Sequence, residues 1–174
     1  MLLPGAVSAA ETGGYSLDPK SSTIGFELRA LGWVRVSGTA TASGRVSIAN
    51  DIADIDVQVS LASLKMTRAS YRDWALSPEF FDAAKHPTLT FRARDVALTK
   101  LFRGGAIGGE LQVRGISKPV RFQLAPSDCK RKPSPCRVRA EGELSRRAFG
   151  MRSRRMTLGD RIGVALTLRL VPVP

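Results

Sequence analysis

The residues of this chain that are able to do chemistry are few, and their spacing argues against catalysis. Its single histidine, His86, sits in Lys85-His86-Pro87. A pre-proline residue in a loop is more often structural than catalytic, because acid–base work needs a partnered group in a pocket. Cys129 and Cys136 bound the run Cys-Lys-Arg-Lys-Pro-Ser-Pro-Cys. That spacing is not a C-x-x-C redox motif, and one histidine with two cysteines makes no zinc constellation. No serine stands in a G-x-S-x-G setting, and neither a P-loop nor a G-x-G-x-x-G run follows a strand. Gly104-Gly105 and Gly108-Gly109 read as turn residues flanking a hairpin strand. Asp54 and Asp56 fall on the wet side of a strand. The chain therefore reads as a non-enzyme, with no catalytic residue, no metal site and no cofactor.

Two features carry interaction chemistry instead. The prolines and cations between the cysteines suit an exposed loop. A Cys129–Cys136 disulfide closing it would contribute about 2–3 kcal/mol and would persist only in an oxidising compartment. Two unpaired surface thiols are the alternative. The net charge of +12 and pI near 10.8 favour anionic surfaces such as lipid head groups, outer-membrane polyanions or nucleic acid. The Arg-rich run with Arg146, Arg147, Arg152, Arg154 and Arg155 reads either as a solvated turn with strand ends or as a docking surface for phosphate or anionic membrane. Nucleic acid is the weaker partner, for want of an aromatic–basic platform or a recognition helix.

These residues need a scaffold, and period-two alternation supplies it. Ile24, Phe26 and Leu28 alternate with polar neighbours, as do Ile55, Val57, Val59 and Leu61. The pattern recurs at Leu89 and Phe91, Leu111 and Val113, Val120 through Leu124, Val138 through Leu144, and Ile162 through Leu170. It marks antiparallel strands with one dry face. Turn signals at Leu31-Gly32, Ala49-Asn50-Asp51, Arg103-Gly104-Gly105, Gly115 and the cysteine loop separate them. The expected fold is all-β: an extended antiparallel barrel of about eight strands, with a short helical insertion near residues 67–82. There Tyr71, Trp74 and Ala75 share a helical face, and Ser77-Pro78 opens a second short turn, with Ser77 as N-cap. The 174 residues fit one domain, assigned to 13–174. Residues 1–12 resemble the tail of a signal peptide ending at Val7-Ser8-Ala9, or else form a short arm. From the pattern alone, a filled core is the simpler reading of the inward face, although a barrel of this size is also able to hold one small ligand.

Four motifs in order then make a resemblance. Tyr15-Ser16-Leu17-Asp18-Pro19-Lys20 through Phe26 resembles the opening strand of the YceI-like polyisoprenoid-binding family. Ser77-Pro78-Glu79-Phe80-Phe81-Asp82 followed by His86-Pro87-Thr88-Leu89-Thr90-Phe91 is similar to its helix-to-strand junction. Gly109 through Val120 resembles its central hairpin, and Leu144 through Val164 its last segment. The resemblance implies a lipocalin-like barrel threaded by a long isoprenoid, such as a polyprenyl phosphate or isoprenoid quinone. It also implies export to the periplasm or beyond, and often a homodimer. Under that implication the lining candidates are Phe26, Leu28, Val57, Val59, Phe91, Phe122, Leu166 and Leu168. Trp33, Tyr71, Trp74, Phe80 and Phe81 are mouth candidates, and Arg68 and Arg72 are candidates for an anionic head group. This chain has Lys20 and Trp74 where the family often carries histidines, so head-group contacts do not transfer directly. The rival function is a basic module with a solid core that touches anionic membrane or polyanion surfaces.

Overall fold

The computed structural model describes residues 13–174; the expected arm or signal remnant at residues 1–12 lies outside them. The alternating runs become β1 (Gly13–Leu17), β2 (Thr23–Ala30), β3 (Val34–Ala49), β4 (Ile52–Ser60) and the two-residue β5 (Lys65–Met66). After α1 (Ala69–Leu76) come β6 (Thr88–Ala97), α2 (Leu98–Arg103), β7 (Gly105–Val113), β8 (Ile116–Leu124), β9 (Cys136–Ser145) and β10 (Arg161–Pro172). All pairings are antiparallel. Strands β2, β3, β4, β6, β7, β8, β9 and β10 form a ring that returns from β10 to β2, an eight-stranded closed barrel. Closure removes the free edges that an open sheet would expose.

One strand position of the ring is filled by two short strands. The first half of β3 pairs with β2 and its second half with β1. On the other flank β10 pairs with β2 through Gly163–Thr167 and with β1 from Leu170 onward. Between them the ladder is interrupted, and the fully buried Ser22 closes the gap. Its hydroxyl accepts from the Arg169 N–H at 2.9 Å, and its carbonyl accepts from the Ala42 N–H at 3.0 Å. This satisfies buried backbone groups that would otherwise cost about 1–3 kcal/mol each. Gly44, at φ 140°, lies where β3 passes from one partner to the other. A Cβ there would fall on the carbonyl of Asp56.

Two hairpin turns have the sequence expected of them. Asn50 and Asp51 link β3 to β4 with both φ values positive, as do Arg114 and Gly115 between β7 and β8. This is the geometry whose twist matches paired strands. The Cys129–Cys136 disulfide is formed, and the Cys136 half is buried.

Three expectations are corrected. The short turn after α1 does open at Ser77, whose carbonyl accepts from the Phe80 N–H at 3.0 Å, but Ser77 is not its N-cap side chain: its hydroxyl donates back to the Trp74 carbonyl at 2.6 Å and ends α1. Gly108 and Gly109 are not turn residues but lie within β7. Gly104 ends α2, a helix the alternation does not announce. That helix closes one barrel end with the buried Leu98 and Leu101.

Replacing Gly44 with alanine should lower stability by about 2–4 kcal/mol, from positive-φ strain and the clash with Asp56. A thermal melt should show the midpoint falling by about 5–15 °C; an unchanged midpoint would mean that β3 does not bend there.

Candidate functional site

The inward faces of the strands do not meet completely. They leave a void of about 90 Å³ in the half of the barrel under α1, and a second of about 40 Å³ toward the α2 end. Thr90 is the one polar side chain among the residues lining the larger void, and the smaller is lined only by apolar side chains. Val57, Phe91, Phe122 and Leu166 line both. Phe91 and Phe122 pack edge to face, with centroids 5.3 Å apart, at the constriction between the two.

The aromatic walls depend on glycines. Gly38 stands opposite Phe26 in the β2–β3 ladder, and a Cβ on it would come within 2.7 Å of that ring. A Cβ on Gly109 would meet the Phe91 ring at 2.5 Å, and one on Gly142 the Phe122 ring at 2.5 Å. Each absent side chain lets a phenyl ring lie against the wall instead of filling the centre. Large–small pairing of this kind packs a barrel interior without strain.

Of the predicted lining residues, Phe26, Val57, Val59, Phe91, Phe122 and Leu166 border the larger void and Leu168 the smaller. Leu28 is buried but borders neither. Sequence reasoning missed Leu111, Val113 and Leu144, whose alternation already placed them inward, and also missed Phe149 and Met151. Among the described residues the two voids are separate, with the Phe91–Phe122 pair between them.

The mouth candidates separate. Phe81 borders the void, packed edge to face on Phe26 at 6.0 Å and on Phe80 at 4.9 Å. Phe80 is buried behind it, and Trp74 lies over Phe80 at 5.0 Å. Tyr71 is half-buried beneath the Arg68 guanidinium, 5.4 Å from its centroid. Trp33 is 75% exposed on the β2–β3 hairpin and borders neither void. Arg72 is not free for a head group. Its Nε donates to the Leu64 carbonyl at 2.7 Å and its terminal nitrogen to that of Ala62 at 3.2 Å, fixing the turn before α1. Arg68 rests on Tyr71. His86 packs beside Gly115 and borders neither void.

A second segment completes the cover. Residues 146–160 leave β9, push Phe149 and Met151 into the void, and return to β10. Arg146 is not the solvated or docking residue that composition suggests: it is fully buried. Its guanidinium donates to the carbonyls of Gly159 (2.8 Å), Met151 (2.5 Å), Ser153 (2.9 Å) and Leu158 (2.9 Å). Burial, with the charge of Arg147, lowers its pKa. Asp160 anchors the other end of the segment, accepting from the Ser145 hydroxyl at 2.7 Å and the Arg147 N–H at 3.0 Å. Burial pushes the Asp160 carboxyl upward, but those hydrogen bonds and the charges of Arg147 and Arg146 outweigh it, and the net shift is downward. The segment is tied to the turn after α1. The Ser153 hydroxyl donates to the Glu79 carbonyl, and Arg154 lies 5.2 Å over Trp74 and pairs with the Glu79 carboxylate at 3.6 Å.

The family model for the YceI-like domain matches residues 15–170. Among solved structures, Burkholderia cenocepacia BcnA is similar with a TM-score of 0.73 at 17% identity, over 88% of this chain and 98% of that one. A polyisoprenoid binding domain from Saccharophagus degradans, implicated in plant cell wall breakdown, aligns at 0.67 and 14% identity, over 90% and 97% of the two chains. The Campylobacter jejuni YCEI protein aligns at 0.58 and 18% identity, over 74% and 79%. No curated protein matches the sequence.

Arg146→Lys should destabilise the fold by about 2–4 kcal/mol, because a compact ammonium does not reach four carbonyls arranged around a planar fork. Amide exchange across residues 146–160 should then outpace that of the strands. Asp160 has a depressed folded pKa, so its contribution is present above the unfolded carboxylate value of about 4 and is lost as pH falls through the folded one. Acidification through that range should accelerate exchange in the same segment in the parent protein but not in Asp160→Asn.

Proposed function

The chain belongs to the YceI-like domain family, and from that premise we propose that it binds and sequesters or carries a long apolar lipid of the isoprenoid class in the barrel interior. The observation that carries the reading is the wall of the larger void, where Thr90 is the only polar side chain. An apolar chain placed there gains ~0.8 kcal/mol per buried CH₂ and meets an almost wholly apolar wall. The similar fold of a polyisoprenoid binding domain supports the same ligand class.

A void of about 90 Å³ holds on the order of one to two five-carbon units. A longer chain needs two displacements. Phe149 and Met151 must withdraw with their segment, which enlarges the void at the cover. The Phe91 and Phe122 rings must swing apart, which joins it to the smaller void. Access through the cover leaves the hydrogen-bonded wall intact, whereas access between strands would break ladder bonds. Of the two head-group candidates, Arg72 is committed to backbone carbonyls and Arg68 lies on Tyr71, so neither is proposed to bind a head group. A disulfide between Cys129 and Cys136 supports a periplasmic or secreted location.

Organic extraction of the purified protein followed by mass spectrometry should recover a prenyl-chain lipid, and the emptied protein should take up a fluorescent prenyl probe. Val57→Phe, which fills the wall shared by the two voids, should reduce uptake at least tenfold while the fold persists. A protein that carries no lipid and takes up no probe, or a Val57→Phe variant with undiminished uptake, would refute the proposal.

A further inference from the structure

Among the described residues, three of the large apolar side chains left exposed gather at one end of the barrel. They are Leu31 (60% exposed), Trp33 (75%) and Met156 (95%). Leu31 and Trp33 form the tip of the β2–β3 hairpin, and Met156 lies on the segment that carries Phe149 and Met151. The two pieces are joined. The Leu31 N–H donates to the Thr157 carbonyl at 2.6 Å, the Gly159 N–H donates to the Arg29 carbonyl at 2.8 Å, and Ala30 bridges Leu158. The apolar tip therefore belongs to the outer face of the barrel's cover.

Cations surround it. Arg29 and Arg35 face one another directly across β2 and β3, like charges of which Glu27 pairs only with Arg35. Arg152 and Arg155 are exposed on the same segment as Met156. The neighbouring carboxylates are already engaged: Glu27 with Arg35, Glu79 with Arg154, Asp160 with Arg147, and Glu143 with Arg161. Arg29, Arg152 and Arg155 have no ion-pair partner among the described residues.

We propose that the Leu31–Trp33 hairpin tip and the 152–157 loop form a docking surface for an anionic lipid bilayer. Trp33, Leu31 and Met156 would insert at the head-group boundary, and Arg29, Arg152 and Arg155 would meet lipid phosphates. Tryptophan suits that boundary because its ring is apolar and its N–H is polar. Basic side chains near an anionic surface strengthen such binding and make it sensitive to salt. A second copy of the chain fits the tip poorly, because a two-fold contact would set one arginine ring against another. This surface does not depend on what fills the barrel.

Vesicles of phosphatidylcholine alone and of two parts phosphatidylcholine to one part phosphatidylglycerol supply the test by co-sedimentation. The protein should pellet with the anionic vesicles only, less so as salt rises, with a blue shift in tryptophan emission. Leu31→Ser with Trp33→Ser should reduce partitioning at least tenfold and abolish the shift. Arg29→Gln with Arg155→Gln should weaken it about fivefold per arginine. All four positions are exposed, so thermal midpoints and prenyl-probe uptake should stay at the parental value. No pelleting with anionic vesicles, equal pelleting by the double variants, or a dimer that needs the tip in place of vesicle binding would each overturn the proposal.

Discussion

The barrel closes because β10 has a partner on both sides along its length. On one flank β9 pairs with it continuously from Arg161 to Leu170, and on the other β2 and then β1 share the work. Closure fixes register, and register fixes which side chains face inward. One rung shows how much follows. Gly38, Phe26, Val164 and Gly142 stand in line across β3, β2, β10 and β9. A register slip of one residue would send Phe26 outside and bring Gly25 or Glu27 in, and the apolar wall would be lost.

The wall and the cover are held by different physics. The wall is a backbone ladder whose inner surface is phenyl rings lying against glycines. The cover is two connecting segments, joined to each other through Glu79, Trp74, Ser153 and Arg154. Side-chain hydrogen bonds and aromatic packing hold it, and its backbone contributes no continuous ladder. Low local stability belongs where a protein must open, and the division between rigid ladder and tethered cover puts that property over the larger void.

Much of this was legible in the sequence, and the reason is geometric. Strand side chains have period two, so Val57, Val59, Phe91 and Leu166 declare their face without any knowledge of partners. α2 was missed because its six residues lie directly after a strand and carry no N-cap side chain. Phe149 and Met151 were missed because the arginines around them dominate the composition of the segment. Arg146 misled most, since nothing local distinguishes a buried guanidinium from the exposed one at Arg147. What separates them is a set of carbonyls spread from Met151 to Gly159, which only the folded path brings together. Aromatic residues in loops fit a pocket mouth, but the β2–β3 hairpin turns Trp33 outward.

The Arg146 guanidinium carries four contacts of the covering segment on one rigid, planar group. A single rotamer change breaks them together, and the cation recovers its hydration in the same event. Withdrawal of the segment would therefore be an all-or-none step at Arg146 and not a gradual slide. The four acceptors are neutral, so salt would act on the segment through the Arg154–Glu79 and Arg147–Asp160 pairs and not through Arg146. The residence time of anything enclosed would accordingly answer to heat through the guanidinium and to saltiness only through those two outer pairs.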